Sequence, residues 1–365
     1  MAQSRTLGAS LSGLDALRRS YIDRAAAVGF PADNRSGVSS KARRARVRAR
    51  VLIVGAGAIG VRHLQSLVRV VRPLDVDVID PSEPARQNAA RLLAEVGGLP
   101  AGEARFHSDF ARISAPDIAI IATNARERGR VIADALNLGC NRLVLEKVLF
   151  TKLSDYYTVE HLLYQNGASA WVNCPRAGYP SFKRLAGLIG GKKFTYRVEG
   201  NGWGLGCNLI HHIDEFAMLS GRADLRLRSD ALLPQTIPAK RAGYIEFLGT
   251  MRGSIGDNRL EATCRAGVPG DRVVTIVCED LELRVSQLAE TLSVANGKSS
   301  RTEPFPIPLQ SEATARHVEA ILNGRAPSLP DYAAAAALHR VMLGAFLEHL
   351  RAVSGDPRID ECPIT

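Results

Sequence analysis

From residue 48 onward, apolar and polar positions fall into an alternating order of short strands and amphipathic helices. Val51, Leu52, Ile53 and Val54 form a continuous apolar run, the pattern of a strand covered on both faces. A glycine-rich turn follows, then a helical stretch over 61–70. A second strand, 76–79, ends at Asp80 and leads into a helix over 83–96, where Ala89, Leu92, Leu93 and Val96 recur at helical spacing. The alternation continues through strand 118–121, helix 129–138, strand 143–145, helix 154–166 and strand 170–173. Strands that alternate with helices predict a parallel, doubly wound α/β Rossmann sheet.

Past Cys174 the pattern changes. Helices are predicted over 182–189 and 209–219, and a strand over 194–198. Period-two alternation then recurs over 243–248, 260–265, 272–277 and 281–285 with no helix between. This predicts an α+β domain with a mostly antiparallel, open-faced sheet. Helices over 311–323 and 332–351 finish the chain, packing back on it. Three regions result: a basic, partly disordered arm over 1–48, a Rossmann dinucleotide-binding domain over 49–174, and a substrate and oligomerisation domain over 175–365. Helices are expected on only one side of the second sheet, so its other face is expected to be buried in a homodimer or homotetramer.

Length agrees with this division, since 365 residues exceed what one core usually holds. The formal charge of +10 alters the picture only at one end. Residues 1–50 hold eleven basic against three acidic side chains, hence eight of the ten net charges. The body is therefore close to neutral, and a chain-wide nucleic-acid surface is not expected. Within the arm, residues 11–30 suit a short amphipathic helix and 34–40 a linker. Arg18-Arg19 resembles a twin-arginine export signal, but Asp23 and Arg24 interrupt the apolar stretch such a signal needs. The cytoplasm is the expected compartment, with no membrane partner, since no apolar run nears the roughly 18 residues of a span. The six cysteines form no C-x-x-C pair and share no metal-ligand spacing with histidines, so no metal is expected.

The chemistry begins at Gly55-Ala56-Gly57-Ala58-Ile59-Gly60, which joins a buried strand to a helix, with Asp80 ending the next strand. That context makes the glycine motif specific. Gly55 permits the tight turn, Gly57 lets backbone approach a diphosphate, and Gly60 lets helix and strand pack closely. The helix start at Ala58 and Ile59 offers free N–H groups and a partial positive charge. Asp80 would accept hydrogen bonds from ribose hydroxyls and repel a 2′-phosphate, which favours NAD; Arg86 keeps NADP open. Thr123 and Asn124, at the carboxyl end of strand 118–121, lie either against the ribose and nicotinamide or as a cap on the next helix.

Val51 to His63 with its glycines, then Glu146-Lys147, Asn173-x-x-Arg176 and Gly206-Cys207-Asn208-Leu209-Ile210-His211-His212-Ile213-Asp214, resemble the Gfo/Idh/MocA oxidoreductases. The resemblance spans residues 49 to about 350 and includes the order of the two domains. It implies hydride transfer between NAD(P) and a hydroxyl-bearing carbon of a sugar, sugar derivative or cyclitol. Glu146 and Lys147 fall on the family's E-K-P motif, whose lysine touches the reacting hydroxyl and the nicotinamide ribose. His211 falls on the histidine of H-x-x-D, the usual proton acceptor, and Asp214 completes that motif. Two departures stand out. Val148 replaces the motif's proline, removing a rigid bend that aims the lysine, and Cys207 stands where the family has a carboxylate one turn before the histidine. The stretch from Trp203 to His211 resembles a branch acting on cell-surface polysaccharide sugars.

The residues support this chemistry independently of the resemblance. Oxidising an alcohol requires a base within hydrogen-bond reach of the hydroxyl. A lysine at a strand's carboxyl end is placed at the crevice, and histidine titrates near neutral pH. Asn208, His211 and Asp214 are spaced by three, so they share a helix face. His212 points about 100° away from His211. Asn208 can orient a hydroxyl but not take its proton, which leaves the base role to His211 or Lys147. Arg176, Tyr179, Trp203, His212 and Asp214 are the candidate substrate contacts for a sugar or nucleotide sugar. Arg176 and Trp203 equally suit packing at a domain boundary, and Lys147 a solvated surface. Two rival functions stand: a dinucleotide-binding regulator without turnover, and a redox-neutral eliminase or glycosidase that retains its NAD.

Overall fold

The computed structural model describes residues 48–365. The basic arm before Arg48, with the helix expected over 11–30 and the linker over 34–40, lies outside the described residues. Strand β1 (Ala49–Val54) begins a parallel sheet with β2 (Leu74–Ile79), β3 (Ala104–His107), β4 (Ile118–Ile121), β5 (Arg142–Leu145) and β6 (Ser169–Val172), in the order β3-β2-β1-β4-β5-β6. This is the doubly wound order that reverses direction at β1, leaving a crevice beyond the carboxyl ends of β1 and β4. Val51 pairs with Val76 on one side and Ile118 on the other.

Alternation along β1 feeds two cores. Val51 and Ile53 face α1 (Ala58–Leu67) and α2 (Glu83–Glu95) through Val61, Leu64, Ala89 and Leu93. Leu52 and Val54 face α3 (Arg128–Asn137) and α4 (Leu153–Gln165) through Val131, Ile132, Val159 and Leu163. Every residue from Leu52 to Val54 is at most 4% exposed, which is why the run reads as unbroken apolar sequence.

After a 3-10 turn at Arg176–Gly178 come α5 (Pro180–Ile189), β7 (Thr195–Asn201) and α6 (Leu205–Ser220). The second sheet adds β8 (Arg226–Pro238), β9 (Ile245–Ile255), β10 (Asn258–Arg265), β11 (Val273–Cys278), β12 (Leu281–Ser286), β13 (Thr291–Ala295) and β14 (Ser300–Pro304). Its order is β14-β13-β12-β11-β7-β10-β9-β8. Every pair is antiparallel except β7 with β10, where Tyr196 sits beside Leu260. Helix α7 (Gln310–Leu322) returns to α1, and α8 (Tyr332–Ser354) packs on α4, α6, β6 and β8.

The sheet's inner face buries Tyr196, Val198, Leu260, Ala262, Val274 and Ile276. Its outer face is polar: Arg197 pairs with Glu261 at 2.9 Å, Arg265 with Glu199 at 2.6 Å, and Thr250 with Thr263 at 2.9 Å. Four strands were not legible in the sequence, namely β3, β8, β13 and β14. The longest, β8, is an edge strand in which only Leu232 is buried, so it lacks an apolar row. Helix α6 begins at Leu205, four residues earlier than the periodicity indicates. Among the described residues no helix is long and apolar enough to cross a membrane.

Candidate functional site

The crevice above β1 is shaped by its glycines. Gly55 has φ of 101°, and a β-carbon there would lie 2.8 Å from the Ala122 carbonyl oxygen. One on Gly60 would lie 1.8 Å from the Gly55 oxygen. These two glycines are required by the turn itself. Gly57 differs, for a β-carbon there meets no protein atom within 4 Å. The space beside it is open, as backbone approach by a diphosphate needs. Helix α1 starts there with no side-chain cap and no acidic residue in its first turn, and Ala58 and Ile59 are exposed. Its first N–H groups remain available to an anion.

Asp80 closes the turn from below. One carboxylate oxygen accepts from the Ala56 amide at 2.8 Å and the other from the Ser82 amide at 2.9 Å. Arg86 folds back on the carbonyls of Asp80, at 2.6 Å, and Pro81, at 3.0 Å. Thr123 and Asn124 divide the two roles considered for them. Asn124 Oδ1 accepts from the Glu127 amide at 3.1 Å, capping the turn into α3, while the buried Thr123 hydroxyl has no protein partner. The donor set and open cradle fit a dinucleotide.

At the end of β5, Glu146 turns inward. His63 Nε2 lies 3.0 Å from its Oε1, and the Asn173 amide donates to the same oxygen. His63 Nδ1 continues to Thr314 Oγ1 at 2.8 Å, and Asn173 to Gln310 at 2.8 Å. Burial alone would push the Glu146 carboxyl up; the bonds from His63 and Asn173 and the Lys147 charge outweigh it and leave the group below its ordinary range. Glu146 thus ties the sheet to α1 and α7 beneath the lysine.

Lys147 points the other way. Its peptide bond to Val148 is cis, and Nζ lies 3.1 Å from Cys207 Sγ and 3.4 Å from the Cys207 carbonyl. The buried segment after it is held by Arg128, which donates to the carbonyls of Thr123, Val148 and Leu149. Burial pulls the Arg128 guanidinium down to about 10.

Helix α6 carries the opposing wall. Asn208 donates to the carbonyls of Trp203 at 2.7 Å and Gly204 at 3.3 Å, closing on the turn before its own helix. His211 has a buried Nδ1 with no protein partner. Burial first, and then the Lys147 charge, hold its imidazole well below the usual range, so it is neutral and able to accept a proton. Asp214 also keeps one buried carboxylate oxygen unpartnered, and burial, then the neighbouring Glu215, push it up to about 7.

The other expected substrate contacts meet protein groups. His212 is fully buried, 2.8 Å from the Tyr196 hydroxyl. Arg176 pairs with buried Glu215 at 3.1 Å and reaches Gln287 at 3.4 Å. Trp203 donates to the Thr263 carbonyl at 2.9 Å, and Arg272 lies over its ring. Tyr179 is buried beside Phe182. Lys147, Cys207 and His211 are therefore the group brought together. Sequence reasoning did not single out Glu246, which accepts from the amides of Gly206 at 2.6 Å and Cys207 at 3.2 Å. Its one local signal is a charge in a strand row otherwise made by Tyr244 and Leu248. Among the described residues no cluster of three or more His, Cys, Asp or Glu is placed to hold a metal.

Residues 49–174 match the model of an oxidoreductase family with an NAD-binding Rossmann fold, Gfo/Idh/MocA. The match takes in the six-stranded parallel sheet and its helices, which have the fold of that family's NAD-binding domain. Comparison with curated proteins finds no match. Among solved structures, the chain resembles UDP-N-acetylglucosamine 3-dehydrogenase from Acidithiobacillus ferrooxidans (17% identity, 84% of this chain and 98% of that one, TM-score 0.61). It also resembles a 3-ketoreductase from Actinomadura kijaniata in complex with NADP (14% identity, 82% and 96%, TM-score 0.62). A third is an oxidoreductase from Agrobacterium radiobacter in complex with NAD+, L-tartaric acid and magnesium (13% identity, 83% and 96%, TM-score 0.62). At these identities the likeness concerns the fold, and it extends through both sheets.

Proposed function

We propose that this oxidoreductase interconverts an alcohol and a ketone on a sugar, sugar derivative or cyclitol, with a nucleotide sugar as the favoured substrate class. The reading rests on one observation: Lys147 Nζ lies 3.1 Å from Cys207 on the same α6 that carries His211, a neutral imidazole with a buried, unpartnered Nδ1. The glycine turn, Asp80 and the Thr123 hydroxyl would hold the dinucleotide, and the nicotinamide supplies or accepts the hydride when bound. Lys147 contacts the reacting oxygen and stabilises negative charge on it, while His211 takes or returns the proton. Asn208 holds the turn from which α6 starts, so the histidine is set on a fixed element. Two structural relatives whose names specify a UDP-N-acetylglucosamine 3-dehydrogenase and a 3-ketoreductase support the sugar class, as does the resemblance of the stretch from Trp203 to His211 to surface-polysaccharide enzymes. The enzyme would work in the cytoplasm as a homodimer or homotetramer, its polar outer sheet face against a second copy; light scattering that finds only monomer refutes that assembly.

The deciding experiment pairs Lys147→Ala and His211→Ala with substrates found by a thermal-shift screen of nucleotide sugars, free sugars and cyclitols in the presence of NAD. Each variant should lose turnover by at least about a hundredfold with NAD affinity unchanged. Full activity in both would end the assignment.

A further inference from the structure

The first turn of α6 lacks an acidic side chain, yet a carboxylate is present at that turn. Glu246 reaches it from β9, about 40 residues away in sequence. Its Oε2 accepts from the Gly206 amide and its Oε1 from the Cys207 amide, at 2.6 and 3.2 Å. Lys147 meets the same residue through the Cys207 sulfur and carbonyl. The two ionisable groups thus hold one turn between them. The fit is close, since a β-carbon at Gly204 would lie 2.9 Å from one Glu246 oxygen and one at Gly206 3.1 Å from the other. Two glycines keep the path to the carboxylate clear.

We propose that Glu246 is the carboxylate partner of Lys147, a positioning residue that fixes the first turn of α6 against the lysine and sets the charge of that wall of the crevice. The inference rests on the catalytic reading of Lys147 given above. The two groups share Cys207 without touching directly, and burial pushes Glu246 up to about 7, against the pull of the Gly206 and Cys207 amides and the Lys147 charge. The ionisable groups around it are Lys147 at the end of β5, Cys207 on α6, Cys264 on β10 and Cys362 near the C-terminus. Lys147 is the one basic residue among them. Above neutral pH this wall carries a compensated lysine–carboxylate pair; below it the lysine charge is uncompensated.

Infrared titration of the full-length protein tests this without a substrate. The carboxyl band lost in Glu246→Gln identifies the group, and circular dichroism checks that this variant and Lys147→Met keep the native fold. In the native protein the band should titrate near pH 7, and in Lys147→Met its midpoint should rise by about one pH unit. A Glu246 band that titrates in the ordinary carboxylate range, or one unmoved in Lys147→Met, overturns the proposal. The result is separable from the catalytic reading. If Lys147→Ala abolishes turnover while the band does not move, only the partnership fails. If the band moves while Lys147→Ala is fully active, the pair exists but does not serve the redox step, and the positioning role is refuted.

Discussion

Lys147 and Cys207 meet at 3.1 Å, amine nitrogen to sulfur, across the gap between the end of β5 and the first turn of α6. Cys207 is the half-exposed member of the six cysteines, the other five being buried. An alkylating reagent should therefore reach it first, and an added group at that place would displace Lys147. N-ethylmaleimide should inactivate the enzyme with one equivalent incorporated, NAD should slow the reaction, and Cys207→Ser should be resistant while keeping turnover within about threefold. Peptide mass spectrometry that finds the label elsewhere at full inactivation would contradict this.

Asp80 holds the Ala56 amide at 2.8 Å, so the carboxylate proposed to bind the ribose is anchored to the glycine turn. Its charge opposes a 2′-phosphate at the same position. Asp80→Ala should weaken NAD binding about tenfold, near 1.4 kcal/mol, and strengthen NADP binding. Calorimetry with both cofactors measures the ratio directly. Tighter NADP binding by the native protein would defeat the argument, since Arg86 would then outweigh the carboxylate.

The part of this site that was legible in the sequence is the part built from neighbours. Gly55, Gly57, Gly60 and Asp80 lie within two strand-turn units, and β1 is buried on both faces, so their spacing carried the fold. His211 could be placed because one helix sets its relation to Asn208 and Asp214. The contacts that define its surroundings are long-range. Glu246 joins Gly206 over 40 residues and His63 joins Thr314 over 251, and no local period encodes such pairings. Trp203 and Arg176 illustrate a further limit, because residue type alone does not distinguish an indole over a sugar from one donating to the Thr263 carbonyl. Edge strand β8 was invisible for the opposite reason, its row being exposed and polar.

Buried histidines predict how stability follows pH. Burial lowers His317 to about 4 and His339 to about 3, and puts His211 and His212 well below their ordinary value. In the unfolded chain each takes a proton near pH 6.5, so below that pH the unfolded state binds more protons and stability falls. Asp214 and Glu246, both raised to about 7, and Glu215 and the half-buried Asp155, also raised by burial, act with the opposite sign between about pH 4 and 7. Glu146, held below its ordinary range, acts with the histidines at the acid end, and with Asp155 only partly buried the four histidines leave a net loss on acidification from pH 6.5. The urea midpoint should be lower at pH 5 than at pH 7. His339→Leu should flatten the decline, each histidine contributing up to about 1.4 kcal/mol per pH unit. A midpoint that rises toward pH 5 would show that the carboxyls dominate.

Arg128 offers the sharpest separation of stability from chemistry. Its guanidinium is 1% exposed and donates to three backbone carbonyls, those of Thr123, Val148 and Leu149. It therefore joins the loop carrying the unpartnered Thr123 hydroxyl to the segment that follows Lys147. Arg128→Met keeps most of the aliphatic stem but leaves those carbonyls without their donor. At about 1 kcal/mol or more for each orphaned group, and with relief from burying a charge set against it, a net loss of about 2–4 kcal/mol is expected. Urea denaturation should give a lower midpoint with an unchanged slope. Arg128→Lys should fall between, because one ammonium on a flexible stem cannot span three acceptors as a planar fork does. Arg128→Met also loosens the lysine, so turnover should fall by about tenfold or more, while NAD affinity falls less, because the glycine turn and Asp80 are untouched and only the Thr123 contact is weakened. Equal losses in both would mean that Arg128 supports the sheet as a whole and not the placement of Lys147.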